Sequence, residues 1–148
     1  MSENSQSVRK SVSVPADHLF AILVDPAMHS EIDGSGMVQG AATKEPITGT
    51  GDVFRVDMKH PAFGEYQMDN HVQEYIEGEK IAWAPARAGD EPVGHVWIWE
   101  LQSEDDRTVI VHTYDWSGVP DAVRAQVPFP VVTEEQMGAS IDKLAAAE

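Results

Sequence analysis

The chain has 148 residues, 42% of them hydrophobic and none of them cysteine, with 25 acidic residues against 10 basic ones for a formal net charge of −15. That length suits one domain, residues 1–148, with a core of its own and residues 1–6 as a disordered N-terminus. The absence of cysteine excludes disulfide frameworks, thiolate zinc sites and cysteine nucleophiles, and the negative field disfavours nucleic acid and anionic lipid as partners. No apolar run reaches the length of a membrane span, and the polar start Met1–Ser7 lacks the regions of a signal peptide, so membrane insertion is not expected and a cytoplasmic location is.

Ser5 to Val14 alternates well enough for a first strand, with Val8, Lys10, Val12 and Val14 on one side. Pro15 and Asp17 suit the first turn of a short helix whose apolar stripe is Leu19, Phe20, Ile22 and Leu23, stopped by Asp25-Pro26. Ala27–Ile32 is a candidate second short helix, followed by turn residues and a weak strand over Gly36–Thr43. Asp52–Lys59 and Glu65–Ile76 read as paired strands, with Met58 opposite Tyr66. One face then holds Phe54, Val56, Met58, Tyr66, Met68, Asn70 and Val72. The other holds Val53, Arg55, Asp57, Gln67, Asp69, His71 and Gln73, the alternation of a sheet with one solvated face. Glu79–Ala84 is the next strand, with Ile81 and Trp83 inside, and Pro85–Pro92 reads as a loop.

From Gly94 to Ser117, two runs rich in β-branched and aromatic residues flank the charged break Glu104-Asp-Asp-Arg107, the pattern of a hairpin. Pairing Ser103 with Thr108 sets Leu101 opposite Ile110, Trp99 opposite His112, Trp97 opposite Tyr114 and His95 opposite Trp116. Opposed residues share a face, so one side is almost wholly aromatic and must be covered. Gly118–Pro130 is a connection with one helical turn around Asp121–Gln126. Thr133-Glu-Glu-Gln136 is a capping box with Val132 and Met137 as its hydrophobic staple, and Met137, Ile141 and Leu144 form the stripe of a terminal amphipathic helix. Strands in a run with helices set to one side make an α+β arrangement, and the terminal helix is the element able to cover the aromatic face.

Val12–Pro26, Gly51–Phe54, Val72–Trp83, Trp97–Leu101 and the position of the last helix together resemble the START-like superfamily, the helix-grip group that includes polyketide cyclase/dehydrase and Bet v 1-type proteins. The likeness runs from Ser7 to Leu144 and departs at Ala27–Ile32, which lacks the tryptophan often found after the first helix. It implies a helix-grip fold: a curved antiparallel β-sheet wrapped around a long C-terminal α-helix, two short helices after the first strand, and an apolar cavity between sheet and helix. Members bind lipids, sterols, polyketides or other apolar compounds, and a minority catalyse cyclisation or dehydration.

No histidine pair has the spacing of a helical zinc site, and there is no nucleophile elbow or phosphate loop. Neither a metal nor a cofactor is expected. His18, His29 and His60 read as exposed, His71 as solvated on the polar face, and His95 and His112 as inward-facing. The resulting expectation is a hydrophobic small-molecule ligand, such as a lipid or polyketide, held by Phe20, Phe54, Met58, Tyr66, Met68, Asn70, Trp83, His95, Trp97, Trp99, Met137 and Ile141. The first alternative is a cyclase or dehydratase in which His112 acts as acid/base with a pKa near neutrality and Tyr114 or Tyr66 binds an enolate oxygen. The second is a protein-interaction module in the manner of co-chaperone members of the fold.

Overall fold

The computed structural model describes residues 4–43, 45–61, 64–125 and 132–147. Period-two alternation becomes one antiparallel sheet of seven strands: β1 (Ser5–Val12), β2 (Val38–Ala41), β3 (Val53–His60), β4 (Gly64–Ile76), β5 (Lys80–Arg87), β6 (Val96–Glu104) and β7 (Arg107–Asp115). Their order across the sheet is β1-β7-β6-β5-β4-β3-β2, so the first strand crosses over to pair with the last. Between β1 and β2 stand α1 (Ala16–Leu23), a 3-10 turn (Pro26–Met28) and α2 (His29–Ile32). After β7 come α3 (Asp121–Arg124) and the terminal α4 (Glu134–Ala146). The result is the α+β helix grip: a curved sheet closed over by α4, which rests on β1, β7, α1 and α2.

Both hairpin registers match the alternation. Met58 lies opposite Tyr66, Val56 opposite Met68 and Phe54 opposite Asn70; Ser103 pairs Thr108, Leu101 pairs Ile110, Trp99 pairs His112 and Trp97 pairs Tyr114. The β6–β7 turn is the two-residue Asp105-Asp106, with Asp105 at φ 56°, a left-handed geometry that aspartate tolerates better than most residues. Val72 faces Trp83, as the inward pattern requires. Thr133 caps α4 by accepting from the Gln136 amide at 3.1 Å, while the Gln136 side chain accepts from the Thr133 amide at 2.9 Å. The staple residues Val132 and Met137 are both buried in one cluster with Tyr114 and Trp116.

Two expectations are corrected. The strand begins at Ser5, inside the tail read as disordered through residue 6, because Gln6 finds partners in the Val132 carbonyl and the Met137 sulfur. β5 runs on through Pro85 to Arg87, where a loop was expected. A proline is tolerated there because pairing with β6 ends at Trp83–Trp97, leaving that edge of β5 without a ladder for the missing N–H to break. The helical turn expected around Asp121–Gln126 is present at Asp121–Arg124, and Gln126 lies outside the described residues.

The core is continuous from Leu19 and Leu23 of α1, through Phe54, Val72, Ile81 and Ile110 of the sheet, to Ile141 and Leu144 of α4. Gly34 lets α4 come this close: a Cβ there would lie 2.2 Å from the Gln136 carbonyl oxygen. Its own amide donates to Ser140 Oγ at 2.8 Å.

Candidate ligand site on the inner face of the sheet

The inner face of β3–β7 carries the expected site residues, and depth divides them. Phe20, Phe54, Trp99, Met137 and Ile141 are at most 5% exposed. Trp83 is only slightly more open and makes edge contact with Phe54 at 5.3 Å. Tyr114 is fully buried and stacked on Trp97 with ring centroids 4.0 Å apart. These side chains fill the space between sheet and helix by close packing, with almost no surface left for a ligand atom. Met58, Tyr66, Met68, His95 and Trp97 remain only half-buried.

The half-buried group gathers where the sheet splays. β5 and β6 pair from Lys80–Glu100 to Trp83–Trp97 and then separate, although β5 continues to Arg87. Inner-face side chains beyond Trp83 therefore lose a neighbour on one side. Along β4, the inward sequence from the core outward is Val72, Asn70, Met68, Tyr66; the facing β5 residues are Trp83, Pro85 and Arg87. His95 lies one residue before β6, its ring edge-on to Tyr114 at 6.0 Å. This end of the inner face thus carries Met58, Met68, Tyr66, Asn70 and Arg87, while Trp97 stands at the last β5–β6 pair and His95 two residues before it.

His112 is inward-facing as expected, but its environment is wrong for the acid/base role. It is 4% exposed and stacked on Trp99 at 3.6 Å, with Trp97 on its other neighbour position at 5.4 Å. Burial pushes its pKa down to about 3. Nδ1 lies 3.1 Å from the Ile98 carbonyl; a carbonyl only accepts, so Nδ1 carries the proton of a neutral ring. The expectation of a near-neutral pKa is therefore overturned by desolvation. His95 is also held neutral at neutral pH, its pKa lowered to about 4 by burial.

His29, read as exposed, is a second correction. It is buried, stacks on Trp83 at 5.1 Å and meets the edge of Phe54 at 5.1 Å. Its Nε2–H donates to the Leu23 carbonyl at 2.8 Å, and burial lowers its pKa. A four-residue helix has too little periodicity to reveal this. The remaining histidines behave more nearly as expected: His18 is exposed beside the Ala147 carbonyl, His60 ends β3, and His71 is on the outer face. Even there, His71 Nε2 is buried without a hydrogen-bond partner. Among the described residues, no group of three or more His, Asp or Glu side chains could hold a metal ion.

Comparison with known proteins places this architecture. Residues 13–147 match the family described as Activator of Hsp90 ATPase homolog 1-like protein. The chain belongs to that family, within the START-like superfamily. It is 35% identical over 107 residues to the uncharacterized protein Rv0088 of Mycobacterium tuberculosis, a match covering 71% of this chain and 44% of the relative. The chain thus spans under half the length of the curated relatives it matches. Among solved structures it superposes on protein NE0264 from Nitrosomonas europaea with a TM-score of 0.71 at 13% identity, covering 99% of this chain and 94% of that one. It superposes on the Zhui aromatase/cyclase from Streptomyces sp. R1128 with a TM-score of 0.67 at 17% identity, covering 96% and 91%. At these identities the solved structures share the fold of this chain. Among the described residues, no helix is long and apolar enough to cross a membrane.

Proposed function

We propose that the protein binds a hydrophobic small molecule at the splayed end of the inner face, without metal or nucleotide. The observation that carries the reading is the contrast in packing along one face: the inward side chains are closed over from Trp99 to Leu144, yet Met58, Met68, Tyr66 and Trp97 remain half-buried at the splay. An apolar wall with a few polar groups at its edge is the usual composition of a small-molecule site. A ligand there slides over Trp97 and Met68 and meets Asn70 and Tyr66, while Phe54, Trp83 and Trp99 form the floor behind it.

A cyclase-type reading draws support from the likeness to an aromatase/cyclase. His112, with a pKa of about 3, is a weak base at neutral pH and is sealed between indoles. His95 and Tyr66, half-buried at the opening, are the better candidates to meet a ligand's enolate or carbonyl oxygen. The family description also favours a protein partner. Against this, the large exposed hydrophobics among the described residues, Val53, Ile76 and Val93, stand singly at the start of β3, the end of β4 and the loop before β6.

Native mass spectrometry of the purified protein, with organic extraction of whatever accompanies it, tests the reading. The expected result is a bound apolar compound whose removal changes the fluorescence of Trp97. A bare mass, together with no binding of an apolar fluorophore, would refute it.

A further inference from the structure

Of the ten lysines and arginines in the sequence, eight have described side chains, and among these eight the placement singles one out. Lys10 on the inner face of β1 is paired with Asp142 at 2.9 Å, while Arg55 and Lys80, on the outer face, are paired with Asp69 and Glu74. Arg107 is spent on Ser11 and Ser13, and Lys143 reaches the Asp33 carbonyl. Arg9 and Lys59 lie on the outer face, opposite Val111 and Glu65. Arg87 differs from all of these. Its register partner is Met68, so it shares the inner face, at the rim of the splay; it is exposed and makes no ion pair or side-chain hydrogen bond with a described residue.

A second observation lies beside it. Asn70 is on the same face, two residues from Met68 and opposite Pro85. It is 7% exposed, yet its carboxamide makes no hydrogen bond to a described residue. Its carboxamide atoms are not sealed, since the buried side-chain atoms without a partner lie elsewhere, so they meet solvent beside the apolar wall, where a ligand's polar atom can take the place of water. Same-face residues on neighbouring strands, offset by two, lie about 7–8 Å apart at Cα. That is within reach of an arginine fork and a carboxamide converging on one small group.

We propose that this pair is a head-group site, and that the ligand of the inner face is an apolar carboxylic acid. This rests on the small-molecule reading above and names its ligand class. The carboxylate accepts from the Arg87 guanidinium, which matches it with two parallel N–H donors, and from the Asn70 amide N–H. The apolar body then lies along Met68 and Trp97. In a chain of net charge −15, an unpaired inward cation is the feature that lets an anion approach this face at all.

The test uses the whole protein and two probes differing only at the head group: the fluorescent polyene fatty acid cis-parinaric acid and its methyl ester, titrated at about pH 8, where the acid is ionised. The expected result is that the wild type prefers the acid by about tenfold, the value of a charge-assisted hydrogen bond. Arg87→Gln should lose that preference while keeping its affinity for the ester, and Arg87→Lys should keep part of it. Because Arg87 is exposed and unpaired, the melting temperature of both variants should stay at the wild-type value. Equal binding of acid and ester by the wild type, or a preference that survives in Arg87→Gln, overturns the head-group site and leaves the apolar site standing. Binding of neither probe removes the small-molecule reading and this proposal with it.

Discussion

The most direct physical test of this interior is a pH titration of stability in the wild type and in His112→Phe. In the unfolded chain His112 titrates at its ordinary value of 6.5, whereas in the fold burial holds it near 3. Between those values the unfolded state binds a proton that the folded state refuses. The stabilisation is therefore complete above about pH 6.5 and is lost as pH falls towards 3. For this one group the loss is about 2 kcal/mol at pH 5 and approaches about 5 kcal/mol below both values. Phenylalanine preserves a flat ring against Trp99 but cannot titrate. It also leaves the Ile98 carbonyl without its donor, at a cost of about 1 kcal/mol at every pH. Urea unfolding at about pH 7 and about pH 5 separates the two effects, because every other titrating group is common to both proteins. Wild type should lose about 2 kcal/mol more than the variant over that interval. Parallel pH profiles would mean that His112 is solvated or charged in the fold, and the argument against its acid/base role would fall with them.

Gly34→Ala should destabilise by about 1–3 kcal/mol, since a methyl group there meets the Gln136 carbonyl and the Ser140 amide of α4; thermal unfolding followed by circular dichroism measures it. Ile141→Ala, at a fully buried position under the sheet, should cost about 2–5 kcal/mol in denaturant unfolding. Thr133→Ala removes the hydroxyl that accepts from the Gln136 amide, leaving the backbone half of the capping box, and should cost about 1 kcal/mol in the same assay. Met68→Lys puts a charge on the half-buried wall: affinity for an apolar fluorophore should fall at least about tenfold, with a much smaller change in melting temperature than Ile141→Ala gives.

Much of the frame was legible because two independent signals agreed at each point. The β6–β7 register followed from a charged two-residue turn and from the inward pattern Trp97, Trp99, Leu101 against Tyr114, His112, Ile110, and a slip of one residue would have turned the indoles outward. The same held for Met58 opposite Tyr66. Where local chemistry and long-range context conflicted, the reading failed. Pro85 is a loop signal by composition, and only the departure of β6 from its edge explains its place in a strand. His29 sits in a single helical turn, and its burial is decided by Trp83, far away in sequence. His112 was correctly placed on the inner face, but its protonation depends on how completely two indoles exclude water, which no alternation pattern encodes.

The same splay that hid β5 from the sequence also locates the candidate site. A sheet that stayed paired from β4 to β7 along its whole length would pack Met68 and Trp97 as tightly as Ile81 and Ile110, which are fully buried. Ending the β5–β6 ladder at Trp83–Trp97 frees Pro85 from needing an amide proton. It also leaves Met68 half-buried and carries Arg87 to the rim of the inner face. The close-packed inner wall that includes Ile81, Ile110, Ile141 and Leu144 cannot take a ligand without repacking, and close-packed interiors resist that strongly. Under the proposed function, binding is therefore a property of the place where strand pairing stops, and its selectivity is a property of the few polar groups that the stop leaves facing inward.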